Sequence, residues 1–525
     1  MSAKNNNPPN PAPAAPGRRD SLDKLAHWLL VFLGAAVLLM IPFKVAGTGY
    51  LPGDDALRHA AFAVDNRAWS EVLVLNPALD PAMDSHPGWH AMLRLARKAF
   101  YLNQDGLVML SFTLTLAGFM LAGLAASRAP LAWIVTGAIM LVIEPGLYSR
   151  LLLGRPFAVS MTVLVVLLFL WSRPEKRTLR KDAPLTFLLL TVSVVMHPTV
   201  WYLWSVPILA LWLAGRRRQA LLTAACVPCA MLAAALLLRD WYDIFVFPLF
   251  LITNSVDASP IVATNLVTEF QPAVSPVFSI ALVAAILAVR KLRGGSLSGE
   301  LRQADFLTAI IGWLLGLAYG RFLFDWGLPA LMVWLCRQLA FVDRLALREK
   351  GIAGAVGLAA LYLGLGADLG GRYSQNLKTV LTRPVGEFQD ALPDPGGILY
   401  SSDMTAFYSL YYRLPRDHNF RYILGYESGM MPVEDLRTLR AIQTTNGALA
   451  EHEPWFAKMS PADRILITAL NKPEKEGFEF ARFFNYWIGR KLPPPPAAPG
   501  APAAPPGRRD KSRHRKRREL AALHN

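Results

Sequence analysis

The feature that most constrains this chain of 525 residues is a series of about eleven apolar runs. They cover residues 27–46, 107–126, 131–143, 157–171, 185–195, 200–214, 220–238, 275–289, 306–319, 328–342 and 352–367. Hydrophobic residues make up 53% of the chain and charged residues only 18%, too much apolar surface for one soluble core. The pattern predicts a polytopic α-helical membrane protein with about eleven spanning helices, several of which must extend into polar neighbours to cross roughly 30 Å.

Lysine and arginine predict how these helices are oriented. The basic connectors, at residues 173–181, 216–218, 290–293 and 344–350, alternate along the chain and mark the cytoplasmic side. With a cytoplasmic N-terminus, eleven crossings place the first connector, 47–106, and everything beyond residue 370 outside. The net charge of +16 is therefore read as membrane topology, and nucleic acid is not expected as a partner.

Composition divides the chain into four segments. These are a disordered cytoplasmic N-terminus (1–26), a transmembrane domain (27–369), an extracytoplasmic α/β domain (370–490) and a disordered tail (491–525). The tail includes residues 508–518, where eight Lys or Arg would bind anionic polymer or lipid by charge.

The α/β domain is predicted from alternating strand and helix patterns. Strands are expected at 397–401, 421–425 and 464–468, and helices at 404–413 and 434–444. This domain has no Gly-rich phosphate loop, so we expect it to contact substrate or to pack on the membrane domain, not to bind nucleotide.

The first connector opens with the adjacent carboxylates Asp54 and Asp55. Apolar residues between 55 and 75 recur at helical spacing and predict a helix lying along the outer surface, and residues 89–101 predict a second. Asp55 and His59 are four residues apart and would share one helical face. The pair is a candidate for proton abstraction or metal binding, and the alternative is that both acids only cap the helix.

Polar residues near the predicted outer helix ends extend this candidate site. Asp84, His86 and His90 flank Pro87 in the same connector, and His197 follows a later apolar run. The alternative is that each histidine is only a helix cap or a polar tip in contact with water. None has the spacing of a specific zinc site, so a divalent metal stays an open question.

Arginine also occurs on the predicted outer side, where positive charge is normally sparse. Arg150, Arg155 and Arg321 lie in outer connectors, and a planar guanidinium matches phosphate oxygens in two places at once. They are candidate ligands of a lipid phosphate or diphosphate. The alternative is that each arginine reaches the lipid headgroups or pairs with an acid such as Glu144, Asp240 or Asp325.

Together these features resemble the GT-C class of membrane glycosyltransferases. Residues 54–59, Asp-Asp-Ala-Leu-Arg-His, are similar to the acidic stretch that opens the first outer loop of oligosaccharyltransferase catalytic subunits and related sugar transferases. Residues 84–93 resemble the Pro-rich stretch before their second helix. The C-terminal domain has no WWDYG-like motif, which argues against transfer to N-linked acceptor sequences.

The resemblance implies transfer of a sugar from a polyprenyl-phosphate or polyprenyl-diphosphate donor to a glycan, lipid or protein acceptor on the outer face. Asp55 or Asp54 would be the base, and Arg150, Arg155 and Arg321 would bind the leaving phosphate. His59, Asp84, His86, His90 and His197 would contact substrate, a metal or a proton. The rivals are a transporter or lipid flippase, a non-enzymatic envelope scaffold, and another envelope enzyme such as a polymer ligase.

Overall fold

The computed structural model describes residues 18–65, 67–172, 179–256, 272–273, 277–373, 384–414 and 419–493. The predicted disorder of residues 1–17 and 494–525, including the basic run 508–518, lies outside these residues. Residues 18–26 were expected to be disordered, and this is wrong, because the first helix, α1 (Arg18–Ala46), begins at Arg18.

Most described residues before the C-terminal sheet are helical. After α1 the helices are α2 (Asp55–Asp65), α3 (Trp69–Val72), α4 (Pro87–Phe100), α5 (Gln104–Ala126), α6 (Pro130–Ile143), α7 (Pro145–Leu152), α8 (Phe157–Trp171), α9 (Leu179–Met196), α10 (Ser205–Leu213), α11 (Arg217–Leu238), α12 (Phe247–Val256), α13 (Val277–Leu292), α14 (Ala304–Gly316), α15 (Gly320–Phe322), α16 (Leu328–Gln338) and α17 (Leu347–Gly366). Shorter 3-10 helices include Pro198–Trp204, and single π-helical turns occur at Tyr242–Val246 and Leu323–Gly327.

The apolar runs are helical as predicted, but the count of eleven spans is wrong. Over the described ranges, 4 helices are long and apolar enough to cross a membrane, or up to 5 if the bent pair α6 and α7 forms one span. The 4 are Leu25–Ala46, Gln104–Ala126, Arg217–Leu238 and Leu347–Gly371. Others are too short: α8 has 15 residues, about 22 Å at the rise of an α-helix. Its residues are mostly buried, so its apolar sequence reflects packing inside the protein.

The break between α6 and α7 has a local cause. Their axes differ by 99°, and the junction residue Glu144 precedes Pro145 and has φ −140°. A residue before proline is disfavoured in the helical conformation, so the chain turns here. The turn directs α7, with Arg150, across the end of the helical domain.

Exposed apolar side chains on α1 are consistent with a lipid-facing helix. Trp28, Phe32 and Phe43 are 57–69% exposed, and all lie on this one helix. Large apolar surfaces of this kind are rare on soluble monomers. The coarse prediction of a helical membrane protein agrees with this surface and with the length of the four candidate spans.

A small mixed sheet forms near the C-terminus, as predicted. Its strands are β1 (Ile398–Ser401), β2 (Arg421–Tyr422), β3 (Arg464–Ile467), β4 (Phe478–Phe483) and β5 (Tyr486–Lys491), in the order β2-β1-β3-β5-β4. The first three strands are parallel, and β5 is antiparallel to both β3 and β4. Helices α18 (Met404–Arg413), α19 (Val433–Thr444) and α20 (Glu453–Lys458) accompany the sheet, and α18 and α19 match the predicted helices.

The first connector does form helices at the predicted places, but α2 is not a surface helix. Residues Ala56–Ala63 of α2 are all buried, because α2 packs against α4, α5 and α18. Val74 N–H donates to Tyr422 O at 2.9 Å, so the connector also joins the edge of the sheet at β2. The first connector and the C-terminal domain therefore lie on the same side of the helical domain.

Candidate functional site

A cavity of about 1860 Å³ lies between the ends of the helices and the C-terminal domain. Most of the predicted site residues line it: Asp54, Asp55, His86, Arg150, Arg155, His197 and Arg321. His59, Asp84 and His90 were also predicted to contact substrate, but the structure places them behind this wall. His59 and His90 are fully buried.

Asp54 is bound by Arg155. The guanidinium donates from Nη2 to Asp54 Oδ2 at 2.6 Å and from Nε to Oδ1 at 3.2 Å. Gly154, with φ +66°, makes this possible, because a Cβ there would lie 3.1 Å from Ala56 and from Ser111. A glycine is thus needed for the turn that brings Arg155 to the start of α2.

Asp55 is bound by Arg58 one turn later in α2. Arg58 Nε donates to Asp55 Oδ1 at 2.6 Å, and the Tyr408 hydroxyl of α18 donates to the same carboxylate. Burial would raise the pKa of Asp55, but the charges of Arg58 and Arg155 outweigh it and lower the pKa to about 2. Asp55 is therefore ionised at neutral pH and is a weak base.

Asp54 also contacts the start of α2, the place that the capping alternative concerns. Asp54 Oδ1 accepts the backbone N–H of Asp55 at 2.5 Å, immediately before α2 begins. The same carboxylate also binds Arg155, so a contact with the helix start and an ion pair in the cavity wall coexist.

The alternative that each outer arginine pairs with an acid is correct for all three: Arg155 pairs with Asp54, and Arg150 and Arg321 share Asp325. Arg150 donates from Nε and Nη2 to the two oxygens of Asp325, at 2.5 and 2.9 Å. Arg321 Nε lies 3.3 Å from Asp325 Oδ2. Asp325 is fully buried in the π-helical turn Leu323–Gly327, so one carboxylate faces two guanidinium groups and one positive charge is left over.

Three cavity arginines have a buried N–H group without a hydrogen-bond acceptor among the described residues. These are Nε of Arg321, Nη1 of Arg58 and Nε of Arg440. The contact of Arg321 Nε with Asp325 is an ion pair that lacks hydrogen-bond geometry. Arg58 also lies over the ring of Tyr426, with Cζ 3.9 Å from the ring centre, and Arg321 lies over Phe157 at 5.0 Å. Unsatisfied donors on a guanidinium are costly when buried, and an anion would satisfy them.

The second predicted cluster forms a buried hydrogen-bonded chain. His90 Nδ1 lies 2.7 Å from Asp84 Oδ1, and His90 Nε2 lies 2.7 Å from His59 Nδ1. An ionised carboxylate can only accept, so His90 Nδ1–H donates a hydrogen bond to Asp84, and His90 Nε2 accepts one from His59 Nδ1–H. Burial lowers the pKa of His59 well below its usual range, with Arg58 adding to the effect, so His59 stays neutral.

His86 and His197 meet at the cavity wall. Their ring centres are 4.6 Å apart, and His86 Nδ1 lies 2.7 Å from Ser85 Oγ. Gly88 allows this approach, because a Cβ there would lie 2.3 Å from the carbonyl oxygen of Val195 in α9. Burial lowers the pKa of His197 to about 3, helped by Arg321, so both rings are neutral at pH 7.

The residues that would hold a divalent metal do not form a recognisable ligand set. Within the described part of the chain, no group of three or more His, Cys, Asp and Glu is placed to hold a metal ion. The histidine rings contact one another by hydrogen bonds and edge contacts instead.

Many further residues line the cavity without having been predicted as site residues, and four of them bear on its chemistry: Arg58, Tyr408, Tyr426 and Glu427. Arg58 lies within the acidic stretch, so its position one turn after Asp55 was a usable signal. The other three come from the C-terminal domain. Their contribution depends on how that domain packs, and no local pattern marks them.

The sequence was also compared with known proteins. It matches no protein-family model, and no curated protein is similar enough to count as a relative.

Proposed function

We propose that this protein is a membrane glycosyltransferase that moves a sugar from a polyprenyl-phosphate or polyprenyl-diphosphate donor to an acceptor on the outer face of the cytoplasmic membrane. The observation that carries the proposal is one cavity that combines carboxylates with arginines whose donors are unsatisfied. Sugar transfer needs a proton acceptor for the attacking hydroxyl and cations for the leaving phosphate.

The arginines supply the phosphate-binding part. Arg321 and Arg58 have buried N–H groups without a hydrogen-bond acceptor in the described structure. Arg150 and Arg321 together carry two positive charges, one more than the single negative charge of Asp325 neutralises. A phosphate oxygen would satisfy these donors by charge-assisted hydrogen bonds. Arg155 supports the same wall while bound to Asp54.

An apolar groove supports a lipid-linked donor. It runs between α6 and α17 from Val135 to Ile143, about 12 Å along α6, and Ala353 lies on its other side. Val142 and Ile143 line both this groove and the polar cavity. A molecule with a phosphate in the cavity and a hydrocarbon chain in the groove would match both surfaces.

The charge of the helix ends supports an outward-facing cavity. At the cavity end, α5 begins near the C-terminal domain, where Gln104 donates to Tyr412 O at 2.9 Å. At its opposite end, α5 is followed by Arg128. Helix α11 is likewise preceded by Arg216 at that end of the protein. The C-terminal end of α11 leads instead to Asp243, which accepts the backbone N–H of Asp84. Basic residues at the far ends favour a cytoplasmic location for those ends.

A transporter or flippase is the main rival. It would move a lipid-linked sugar across the bilayer without breaking the bond between sugar and phosphate. The polar cavity would then serve as a headgroup passage, and the carboxylates would have no chemical role.

The transferase and transporter proposals can be distinguished in proteoliposomes that contain the purified full-length chain and a fluorescent decaprenyl-phosphate sugar. We expect the sugar to leave the lipid when a crude envelope-glycan acceptor is added outside. Movement of intact lipid between leaflets, with no loss of sugar, would contradict the proposal and favour the transporter.

Lipid recognition has its own matched pair of variants. Ala353→Trp fills the groove, whereas Ala355→Trp adds the same ring at an exposed position two residues away on α17. We expect only Ala353→Trp to weaken binding of decaprenyl phosphate, and neither to affect a short-chain analogue such as citronellyl phosphate. Equal binding of decaprenyl phosphate by both variants would remove the groove from the proposal.

A further inference from the structure

We propose that Glu427, contributed by the C-terminal domain, is the group that accepts the proton of the acceptor hydroxyl, and that Asp54 and Asp55 instead position arginines. This inference rests on the proposed transferase function and assigns its proton acceptor. It differs from the expectation drawn from the acidic stretch of the first connector, which places the base at Asp55 or Asp54.

Glu427 occupies a fixed position in the cavity wall. It is half-buried, follows Tyr426 and precedes the short 3-10 helix Ser428–Met430. Gly425 packs tightly on the first connector, since a Cβ there would lie 2.6 Å from Leu73. Ser85 Oγ donates to the Tyr426 hydroxyl at 3.0 Å, so the loop contacts the first connector at Gly425 and again at the Tyr426 hydroxyl.

The carboxylates of the first connector are already engaged. Asp54 accepts from Nη2 and Nε of Arg155 and from a backbone N–H. Asp55 accepts from Arg58 and Tyr408 and lies 3.4 Å from Arg155 Nε. A carboxylate held by guanidinium groups loses basicity, so it accepts a hydroxyl proton poorly.

Glu427 lacks such a partner. Among the described residues, no Lys or Arg nitrogen lies within ion-pair distance of its carboxylate, which accepts the backbone N–H of Gly429. Burial raises the pKa of Glu427; the charge of Arg321 opposes this rise, and the charge of Asp55 adds to it. A raised pKa brings a carboxylate closer to the operating pH, where general-base catalysis is most effective.

The charged and titratable groups that act most strongly on Glu427 line the same cavity. Arg321 acts from α15, Asp55 and Arg58 act from α2, and Tyr202 lies on the 3-10 helix Pro198–Trp204. The charges of Arg321 and Arg58 act to lower the pKa of Glu427, whereas burial and the charge of Asp55 raise it, and the rise is the larger effect.

The step balances without any co-reactant. The acceptor oxygen forms a bond to the anomeric carbon, and the bond from that carbon to the phosphate oxygen breaks. The acceptor proton passes to Glu427 Oε, and the bonding electrons leave with the polyprenyl phosphate, whose charge Arg321 and Arg58 stabilise. Deprotonation of Glu427 by solvent restores the site.

The test compares Glu427→Gln with Glu434→Gln, which removes a carboxylate at an exposed position in the same domain. We expect Glu427→Gln to lower kcat for sugar transfer by about 10²-fold or more, with KM for the donor little changed. The acidic limb of the pH–rate profile should disappear in Glu427→Gln and persist in Asp55→Asn. Glu427→Asp should keep the limb at a reduced rate.

Binding of decaprenyl phosphate by each variant separates this inference from the function on which it rests. Near wild-type kcat and an unchanged acidic limb in Glu427→Gln would overturn the assignment while leaving the transferase intact. Absence of any sugar transfer by the wild-type protein would overturn both. Loss of decaprenyl phosphate binding in Glu427→Gln would also overturn the assignment, because it would make Glu427 a binding residue.

Discussion

Arg155 holds Asp54 through two nitrogens of one guanidinium, with Nη2 2.6 Å from Oδ2 and Nε 3.2 Å from Oδ1, and so joins the turn before α8 to the start of α2. The side chains are only 21% and 18% exposed, so solvent screens the pair weakly. The geometry is that of a bidentate pair, which lysine cannot reproduce.

The first prediction concerns this pair. Asp54→Asn and Arg155→Lys should each lower the free energy of unfolding by about 1–3 kcal/mol, because each leaves the other residue without a full partner. The loss of unfolding free energy in the double variant should be smaller than the sum of the two single losses by about 0.5–3 kcal/mol. Thermal unfolding in detergent gives the comparison, and strictly additive losses would mean that the two residues do not interact.

The second prediction separates two arginines that share Asp325. Arg321 has an unsatisfied Nε, so Arg321→Lys should weaken binding of decaprenyl phosphate by about tenfold or more while leaving stability nearly unchanged. Arg150 makes two hydrogen bonds to buried Asp325, so Arg150→Lys should mainly lower stability. Native mass spectrometry and thermal unfolding measure the two effects, and the reverse assignment would contradict the site as described.

The third prediction is a pH dependence set by the buried histidines. The pKa of His197 is lowered to about 3 in the folded protein, so the unfolded chain binds more protons below its own pKa near 6.5. Stability is thus complete above pH 6.5 and falls as the pH decreases from there toward 3. At pH 5 the contribution of His197 to this loss should be about 2 kcal/mol.

The matched control for this pH series is His27, which is exposed on α1. Unfolding temperatures between pH 7.5 and 5 should decrease less steeply in His197→Gln than in the wild type, whereas His27→Gln should follow the wild type. Identical slopes in all three proteins would show that His197 is protonated in the folded state.

The fourth prediction is the orientation of the cavity. In a background without reactive native cysteines, Ala78→Cys in the first connector and Leu470→Cys in the C-terminal domain should react with an impermeant maleimide in intact cells, because both positions are exposed. Ser296→Cys, at the opposite end of α13 from the cavity, should react only after lysis. Labelling of Ser296→Cys alone in intact cells would place the cavity in the cytoplasm and exclude an outer-face transferase.

The fifth prediction tests how closely α4 approaches α9. Gly88→Ala puts a methyl group within 2.3 Å of Val195 O, so α4 must move away and separate His86 from His197. We expect a loss of about 1–3 kcal/mol in stability together with lower transfer activity. Gly118→Ala in α5, where a Cβ meets nothing within 4 Å, is the control and should be neutral or slightly stabilising.

The sequence predicted the helical runs well but not the number of spans. Apolar composition marks α8 and α14 as helices, yet the same composition suits burial among other helices and contact with lipid. A buried helix and a lipid-facing helix are distinguished by the length of the helix and by what surrounds it. Pro145 gives the break after α6 a local cause, but the 99° bend between α6 and α7 depends on packing.

The C-terminal sheet shows a similar limit. Strands β1 and β3 are apolar and were predicted, whereas the hairpin of β4 and β5 was missed. Its turn places Phe484 at φ 51°, a conformation normally occupied by Asn or Gly. Without that turn signature, the alternation of Phe478 and Phe480 with polar residues did not identify a strand.

In the site, residues close in sequence were the easiest to identify. Asp54, Asp55 and the histidines of the first connector form recognisable stretches, and the structure brings them near one another. The pairing of Arg155 with Asp54 and the placement of Glu427 join distant parts of the chain, so they required the fold.

Because Tyr408 and Tyr426 complete the wall begun by Asp55 and Arg58, the cavity cannot exist while the protein is still being synthesised. At ordinary rates of translation, Glu427 emerges roughly 15–50 s after Arg155. Only in the last part of that interval, after Arg321 has been made, does the chain contain Arg58, Arg150, Arg155 and Arg321 while Glu427 is still missing. The order of the chain thus delays completion of the cavity until the C-terminal domain has been made and has docked on the first connector.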